Sequence, residues 1–232
     1  MSEESKIGFR VIADVERPGP DVVAAFAGLP TGNVCDANGR LGAMDHTIRP
    51  LNPDWRFAGT AITVSARPVD NLIVYQAMKV AQPGDVLVIT NDGSTSSAII
   101  GDLVAGMAKN LGIVAFVTDG LVRDLAGLLE VGLPVFCRGL CPNGPWKDGP
   151  GEVNFPIACG GLPISPGDII VGDGDGVVVV SKADATTVAG QLPDIVAKEA
   201  AMAADIAAGK LLPDWVDEAL AEKGIQVVSG NP

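Results

Sequence analysis

Residues 101–124, GDLVAGMAKNLGIVAFVTDGLVRD, decide how the rest of the chain is read. Leu103, Val104, Met107, Ala108 and Leu111 recur at three- and four-residue spacing, which predicts an amphipathic helix from Asp102 to Leu111 with Gly112 as its stop. Ile113 to Thr118 follows as an apolar run of strand length, and Asp119-Gly120 turns the chain before Arg123-Asp124. A helix start and a strand exit can thus meet at one rim, with Asp102 in the first turn of the helix.

A helix N-terminus exposes unpaired N–H groups and partial positive charge, so the amides of Leu103 and Val104 are candidates for holding a small carboxylate. Asp102 and Asp124 could hold a hard divalent cation through oxygen, and Arg123 could neutralise charge developing on a substrate oxygen. The same spacing also allows a plainer arrangement, in which Asp102 is a helix cap and Arg123–Asp124 a surface pair.

Working outward, 232 residues with 29 Gly and 17 Pro suit a mixed α/β chain with many turns. A formal charge of −12 argues against nucleic acid as a partner, because phosphate would be repelled over most of the surface. The start MSEESK has no apolar signal core, and no apolar run approaches the ~20 residues that span a bilayer, so a soluble, cytoplasmic protein without membrane partners is expected. Cys35, Cys137, Cys141 and Cys159 form no CxxC pair and read as buried free thiols. His46, the single histidine, stands in a loop-like segment and reads as structural.

Before the central stretch the pattern predicts an extended piece at 7–15, a helix at 21–27, a helix at 31–38 capped by Thr31, a strand at 58–66, a helix at 70–81 and a strand at 86–90. After it come a helix at 125–131, a strand at 134–138, a Gly/Pro-rich loop at 139–151 carrying an exposed Lys147, and a strand at 153–158. GDGDG at 172–176 lacks the acidic positions of a calcium loop and precedes four valines rather than a helix, so it reads as a hairpin turning at Asp175-Gly176. From Ala183 the chain is helical, interrupted at Pro193, with a last helix at 214–223; these C-terminal helices look peripheral and suited to packing on another subunit.

Together with PTGNVCDA (30–37), FAGTAITV (57–64), QPGDVLVI (82–89) and SPGDIIVGDGDGVVVV (165–180), the central stretch resembles the 4-hydroxy-4-methyl-2-oxoglutarate aldolases. These are metal-dependent pyruvate aldolases in a group that also includes proteins called regulators of ribonuclease activity. The aldolases carry an aspartate, twenty intervening residues and then Arg-Asp, matched here by Asp102 and Arg123-Asp124. The regulator branch typically has glycine at the first of these positions and an acidic residue three places after the last, where this chain has Asp102 and Gly127.

The resemblance implies an α/β fold, a layered α/β/β/α sandwich with a central barrel-like mixed sheet and peripheral C-terminal helices. It divides the chain into a catalytic part, 1–182, and a helical extension, 183–232, that packs on a neighbouring subunit of a trimer or hexamer. It implies a class II aldolase using Mg²⁺, Mn²⁺ or another divalent cation. Such an enzyme cleaves 4-hydroxy-4-methyl-2-oxoglutarate to two pyruvates, and 4-carboxy-4-hydroxy-2-oxoadipate to pyruvate and oxaloacetate, in aromatic acid breakdown. Oxaloacetate decarboxylation is the expected side activity. Asp124 is the implied metal ligand, with Asp102 and a neighbouring subunit's Glu199 acting through water. Arg123 and Asp124 are the implied catalytic residues. Leu103, Val104, Arg123, Asn71 and Lys147 are the implied substrate contacts. A lysine Schiff base fits less well, since no lysine is placed in an apolar pocket by the pattern. The alternative from another class is a non-catalytic protein that binds a ribonuclease.

Overall fold

The computed structural model describes residues 6–226, Val228 and Gly230. The chain forms two compact units, one ending at Leu192 and the other beginning at Pro193. The first is an α/β unit organised on the long strand Phe57–Ala66, part of a nine-stranded mixed sheet. One edge of that strand pairs in parallel with Asp85–Thr90, from Thr60↔Asp85 to Ser65↔Thr90. Its other edge is shared: Ile169–Asp173 runs antiparallel to its first half and Gly151–Val153 to its second. Beyond Asp85–Thr90 the sheet continues in parallel through Ala115–Thr118 and Val135–Cys137, and ends at Arg49–Pro50.

The side-chain period of two divides the core. Ile62, Val64, Leu87 and Ile89 point into one apolar cluster with the helices Leu72–Val80 and Asp102–Asn110. Ala61, Val86 and Val88 point into a second, facing Ile170, Val177 and Val179 of the hairpin Ile169–Asp173/Gly176–Val180. The helix Thr31–Ala37 packs on that hairpin, so the layers run helix, sheet, hairpin, helix. Burial on both faces is why Val86–Ile89 is a continuous apolar run rather than an alternating one. The Ala43↔Val178 bridge and an Arg49 Nη1 hydrogen bond of 2.8 Å to Asp175 O bring the hairpin toward the far edge strand. The strand path keeps two ends, so among the described residues the mixed sheet does not close into a barrel.

Local differences from the pattern have local causes. Thr31 is not a cap: Pro30 holds that position, and the Thr31 N–H and hydroxyl donate to Asp173 Oδ2 and Oδ1 at 2.9 and 2.7 Å. The hairpin turns on Gly174-Asp175, between the paired Asp173 and Gly176. The strand expected at 153–158 breaks at Asn154, whose φ of 63° ends the Gly151–Val153 pairing before Ile157–Cys159 begins a separate hairpin. Pro193 does not interrupt the helix Ala185–Ala207; it removes one backbone donor inside it. Cys137 and Cys159 are buried free thiols, whereas Cys35 and Cys141 are half-buried. His46 is an exposed loop residue beside Asp45.

Asp173 pins the Thr31–Ala37 helix to the hairpin and is 5% exposed. Burial alone would raise its pKa, but hydrogen bonds from Thr31 and from the Asp175 N–H outweigh that and hold the carboxyl below its usual value. A depressed folded pKa means stability that is present above the unfolded value of ~3.9 and lost as pH falls through the folded one. Asp173→Asn is therefore expected to cost ~1–3 kcal/mol at neutral pH and to flatten the loss of stability below pH ~5. Denaturant unfolding across that range measures both, and an unchanged acid limb would count against this role.

Candidate active site

Three short strands, Ala98–Ile100, Leu121–Val122 and Gly139–Leu140, form a small parallel sheet in that spatial order. Ile100 pairs with Val122, and Val122 with Leu140, so the residues that follow each strand leave at the same edge. The crevice outside the carboxyl ends of parallel strands is where α/β proteins place ligands. Here Gly101-Asp102, Arg123-Asp124 and the loop from Cys141 emerge together. The Arg123 N–H donates to Ile100 O at 3.1 Å and the Cys141 N–H to Val122 O at 2.9 Å, which fixes the exits against one another.

Asp102 is the first residue of its helix and not its cap, which is Gly101. Its Oδ1 accepts the Leu103 N–H at 2.7 Å, so that amide is engaged within the protein rather than presented to a ligand. The helix's own bonds begin with Ala105 N–H to Gly101 O at 3.1 Å. The Val104 N–H between them has no acceptor among the described residues.

Asp124 precedes the helix Leu125–Val131 with φ 62° and ψ 48°, a left-handed conformation that aspartate tolerates but that still costs ~1–2 kcal/mol. Its side chain makes no capping bond and instead lies 3.2 Å from Arg123 Nε. Both side chains are about two-fifths exposed, and so open an ion pair contributes only ~0–1 kcal/mol. A strained backbone supporting a weak pair is poorly explained by stability, and such outliers gather at functional sites.

Glycines seat all three charged side chains. A Cβ on Gly101 would collide with Asp124 Oδ2 and come within 3.2 Å of Arg123 Cγ. A Cβ on Gly144 would lie 2.7 Å from Arg123 Nη1, and one on Gly127 would run into the Asp102 carboxylate. Gly144 was invisible in the sequence, because a glycine in a Gly/Pro-rich loop carries no distinguishing signal.

The remaining candidates are placed differently. Asn71 is buried at 3% exposure, with its Nδ2 donating to Ile99 O at 2.9 Å and its Oδ1 lacking a partner among the described residues. It ties the start of one helix to the strand that leads to Asp102. Lys147 is exposed, but its segment is pinned: Asn71 N–H to Trp146 O, Trp146 N–H to Val69 O and Asp148 N–H to Asp70 Oδ2. Glu199 is exposed on the long helix, within the second unit.

Among the described residues no group of three or more His, Cys, Asp and Glu side chains could hold a metal ion. Asp102, in the first turn of one helix, and Asp124, just before the adjoining one, nonetheless offer two carboxylate donors, a set that suits a hard cation retaining several waters. Cys137 and Cys159 are poorly suited to bind a softer metal, since burial pushes the Cys137 thiol up to about 11 and raises Cys159 as well.

The chain is 47% identical over 162 residues, 70% of its length and 77% of the relative's, to a protein of Halalkalibacterium halodurans named "Putative 4-hydroxy-4-methyl-2-oxoglutarate aldolase". An uncharacterized protein from Pseudomonas syringae pv. tomato has a similar structure, with a TM-score of 0.74, 26% identity and coverage of 84% of this chain and 96% of that one. Streptomyces coelicolor RraAS2, described as an unusual member of the RNase ES inhibitor RraA protein family, aligns with a TM-score of 0.71, 27% identity and coverage of 79% and 96%. The sequence model of the RraA-like family, described as Aldolase/RraA, matches residues 31–179 and takes in the Phe57–Ala66 strand, its parallel neighbours and the Asp102, Arg123 and Asp124 site, so the chain belongs to that family.

Proposed function

We propose that this protein is a divalent-metal-dependent pyruvate aldolase acting on 4-hydroxy-4-methyl-2-oxoglutarate and 4-carboxy-4-hydroxy-2-oxoadipate in aromatic acid breakdown, with oxaloacetate decarboxylation as a side activity. The observation that carries it is the convergence of Asp102, Arg123 and Asp124 at the ends of parallel strands, each against a glycine. The aldolase name of the Halalkalibacterium halodurans relative points the same way.

Retro-aldol cleavage takes a proton from the C4 hydroxyl, breaks the C3–C4 bond and sends its electron pair to the C2 oxygen. Protonation of the resulting enolate at C3 gives pyruvate. Arg123 donates to the C2 oxygen as its charge grows, and its guanidinium is held for this by Gly144 and by Asp124. Asp124 and, through water, Asp102 would hold the cation, which when bound supplies Lewis-acid polarisation of the substrate's carboxylate and ketone oxygens. The open Val104 N–H can orient the C1 carboxylate. Lys147 and Asn71 remain candidates for the distal end of the substrate, with the exposed Lys147 supplying the charge that pairs with a carboxylate.

A panel of 4-hydroxy-2-oxo acids, assayed for pyruvate with Mg²⁺ present, tests this reading. Release from the two named substrates is expected. No turnover of any member by metal-loaded protein, with tight binding to a ribonuclease, would replace it by the regulator reading. Covalent trapping by borohydride with pyruvate would replace the metal by a Schiff base.

The partner in this reading is the chain itself, as a trimer or hexamer in the cytoplasm. Leu103, Met107 and Leu111 form an exposed apolar stripe at four-residue spacing, with Leu125 and Leu129 exposed on the adjoining helix. In the second unit Met202, Ile206, Leu211 and Trp215 line an apolar groove of about 550 Å³. No helix among the described residues is long and apolar enough to cross a membrane. If Glu199 completes a neighbour's site, mixing inactive Arg123→Ala subunits with inactive Glu199→Ala subunits under exchange conditions restores part of the activity. No recovery despite proven exchange would reject the shared site.

A further inference from the structure

Gly127 stands third in the seven-residue helix Leu125–Val131, where nothing in the backbone asks for glycine. Its φ is not in the left-handed region, and alanine would be the better helix former. What excludes a side chain is Asp102. A Cβ on Gly127 would overlap Asp102 Oδ2 and lie 2.7 Å from Asp102 Cβ and 2.8 Å from Cγ. Turning the carboxylate about its own bonds cannot relieve this, because the Asp102 Cβ is fixed to its backbone. Either the two helices part or Asp102 leaves its place. That place is specific: Oδ1 is held by the Leu103 N–H at 2.7 Å while Oδ2 lies over Gly127.

We propose that Gly127 is a positioning residue, whose missing side chain keeps the Asp102 carboxylate beside the start of the Leu125–Val131 helix, where Asp124 stands. Positions 102 and 127 share one space, and only one of them can fill it. This rests on the aldolase reading only in what the carboxylate is for; the coupling of the two positions is geometric.

The test uses Gly127→Ala, Asp102→Gly and the double variant, with three readouts on the full chain. Mn²⁺ affinity of metal-free protein is followed by the resonance of free Mn²⁺. The Leu103 amide is followed by its chemical shift and exchange rate, and folding by thermal melting. Gly127→Ala is expected to weaken Mn²⁺ binding ~10-fold or more, as Asp102→Gly does, and to shift the Leu103 amide without lowering the melting temperature. In the Asp102→Gly background the same alanine is expected to weaken binding no further, since the groups that collided are gone. A second, equal loss in that background would overturn the proposal, as would an unmoved Leu103 amide in Gly127→Ala. If Gly127→Ala fails to fold, a double variant that melts like Asp102→Gly supports it and one that also fails overturns it. Wild-type protein that binds no Mn²⁺ would sink the metal reading of the site while the Leu103 amide still decides the role of Gly127.

Discussion

Arg123→Ala is expected to reduce turnover in pyruvate release by ~10²-fold or more, the scale for removing one donor to a developing oxyanion. The loss should fall on kcat more than on KM, because the C2 oxygen gains its charge as the bond breaks. The structure gives the side chain little to do for folding. It is 41% exposed, its one ion pair among the described residues is with its neighbour Asp124, and its removal leaves no buried charge behind. Melting should therefore change little, which separates this variant from a merely misfolded one. Arg123→Lys should recover only a small part of the rate. Ammonium cannot present the planar fork that now lies against Gly144 and beside Asp124 at once. Near-normal turnover in the alanine variant would remove Arg123 from the chemistry.

The elements that could be read from the sequence are those long enough to show a period. Leu103, Val104, Met107, Ala108 and Leu111 revealed the Asp102–Asn110 helix within one residue of its end, and the β-branched run revealed Phe57–Ala66. The strands that assemble the site were not legible: Ala98–Ile100, Leu121–Val122 and Gly139–Leu140 have two or three residues each, too few for alternation to register. Their parallel pairing is what turns a twenty-residue spacing into a meeting of Asp102 with Arg123-Asp124. The engagement of the Leu103 amide by its neighbour's carboxylate, and the burial of Asn71, depend on side-chain direction and tertiary contact, which spacing does not encode. The same holds for glycines. Gly101, Gly127 and Gly144 are ordinary turn or helix residues in sequence, and only the structure shows which charged group each one accommodates.

Exhaustive chelation is expected to abolish pyruvate release, and Mg²⁺ or Mn²⁺ to restore it. The donor set points to hard cations. The two carboxylates at the rim supply oxygen, while His46 pairs with Asp45 in a separate loop and burial holds the Cys137 and Cys159 thiols protonated. With so few protein donors the ion keeps much of its water and binds modestly, so dialysis against a chelator should remove it without denaturing the protein. Stability belongs to a different part of the molecule. The two apolar clusters on either face of the Phe57–Ala66 strand do not depend on the Asp102 and Asp124 carboxylates, so melting of the metal-free protein should stay close to that of the loaded one. A large drop in melting temperature on chelation would instead mark a structural ion. Zn²⁺ should restore less activity than Mg²⁺ or Mn²⁺, since it prefers nitrogen and sulfur donors to the carboxylate oxygens of Asp102 and Asp124. Full activity in protein shown by elemental analysis to be metal-free would remove the cation from the mechanism and leave Arg123 as the main stabiliser of the enolate.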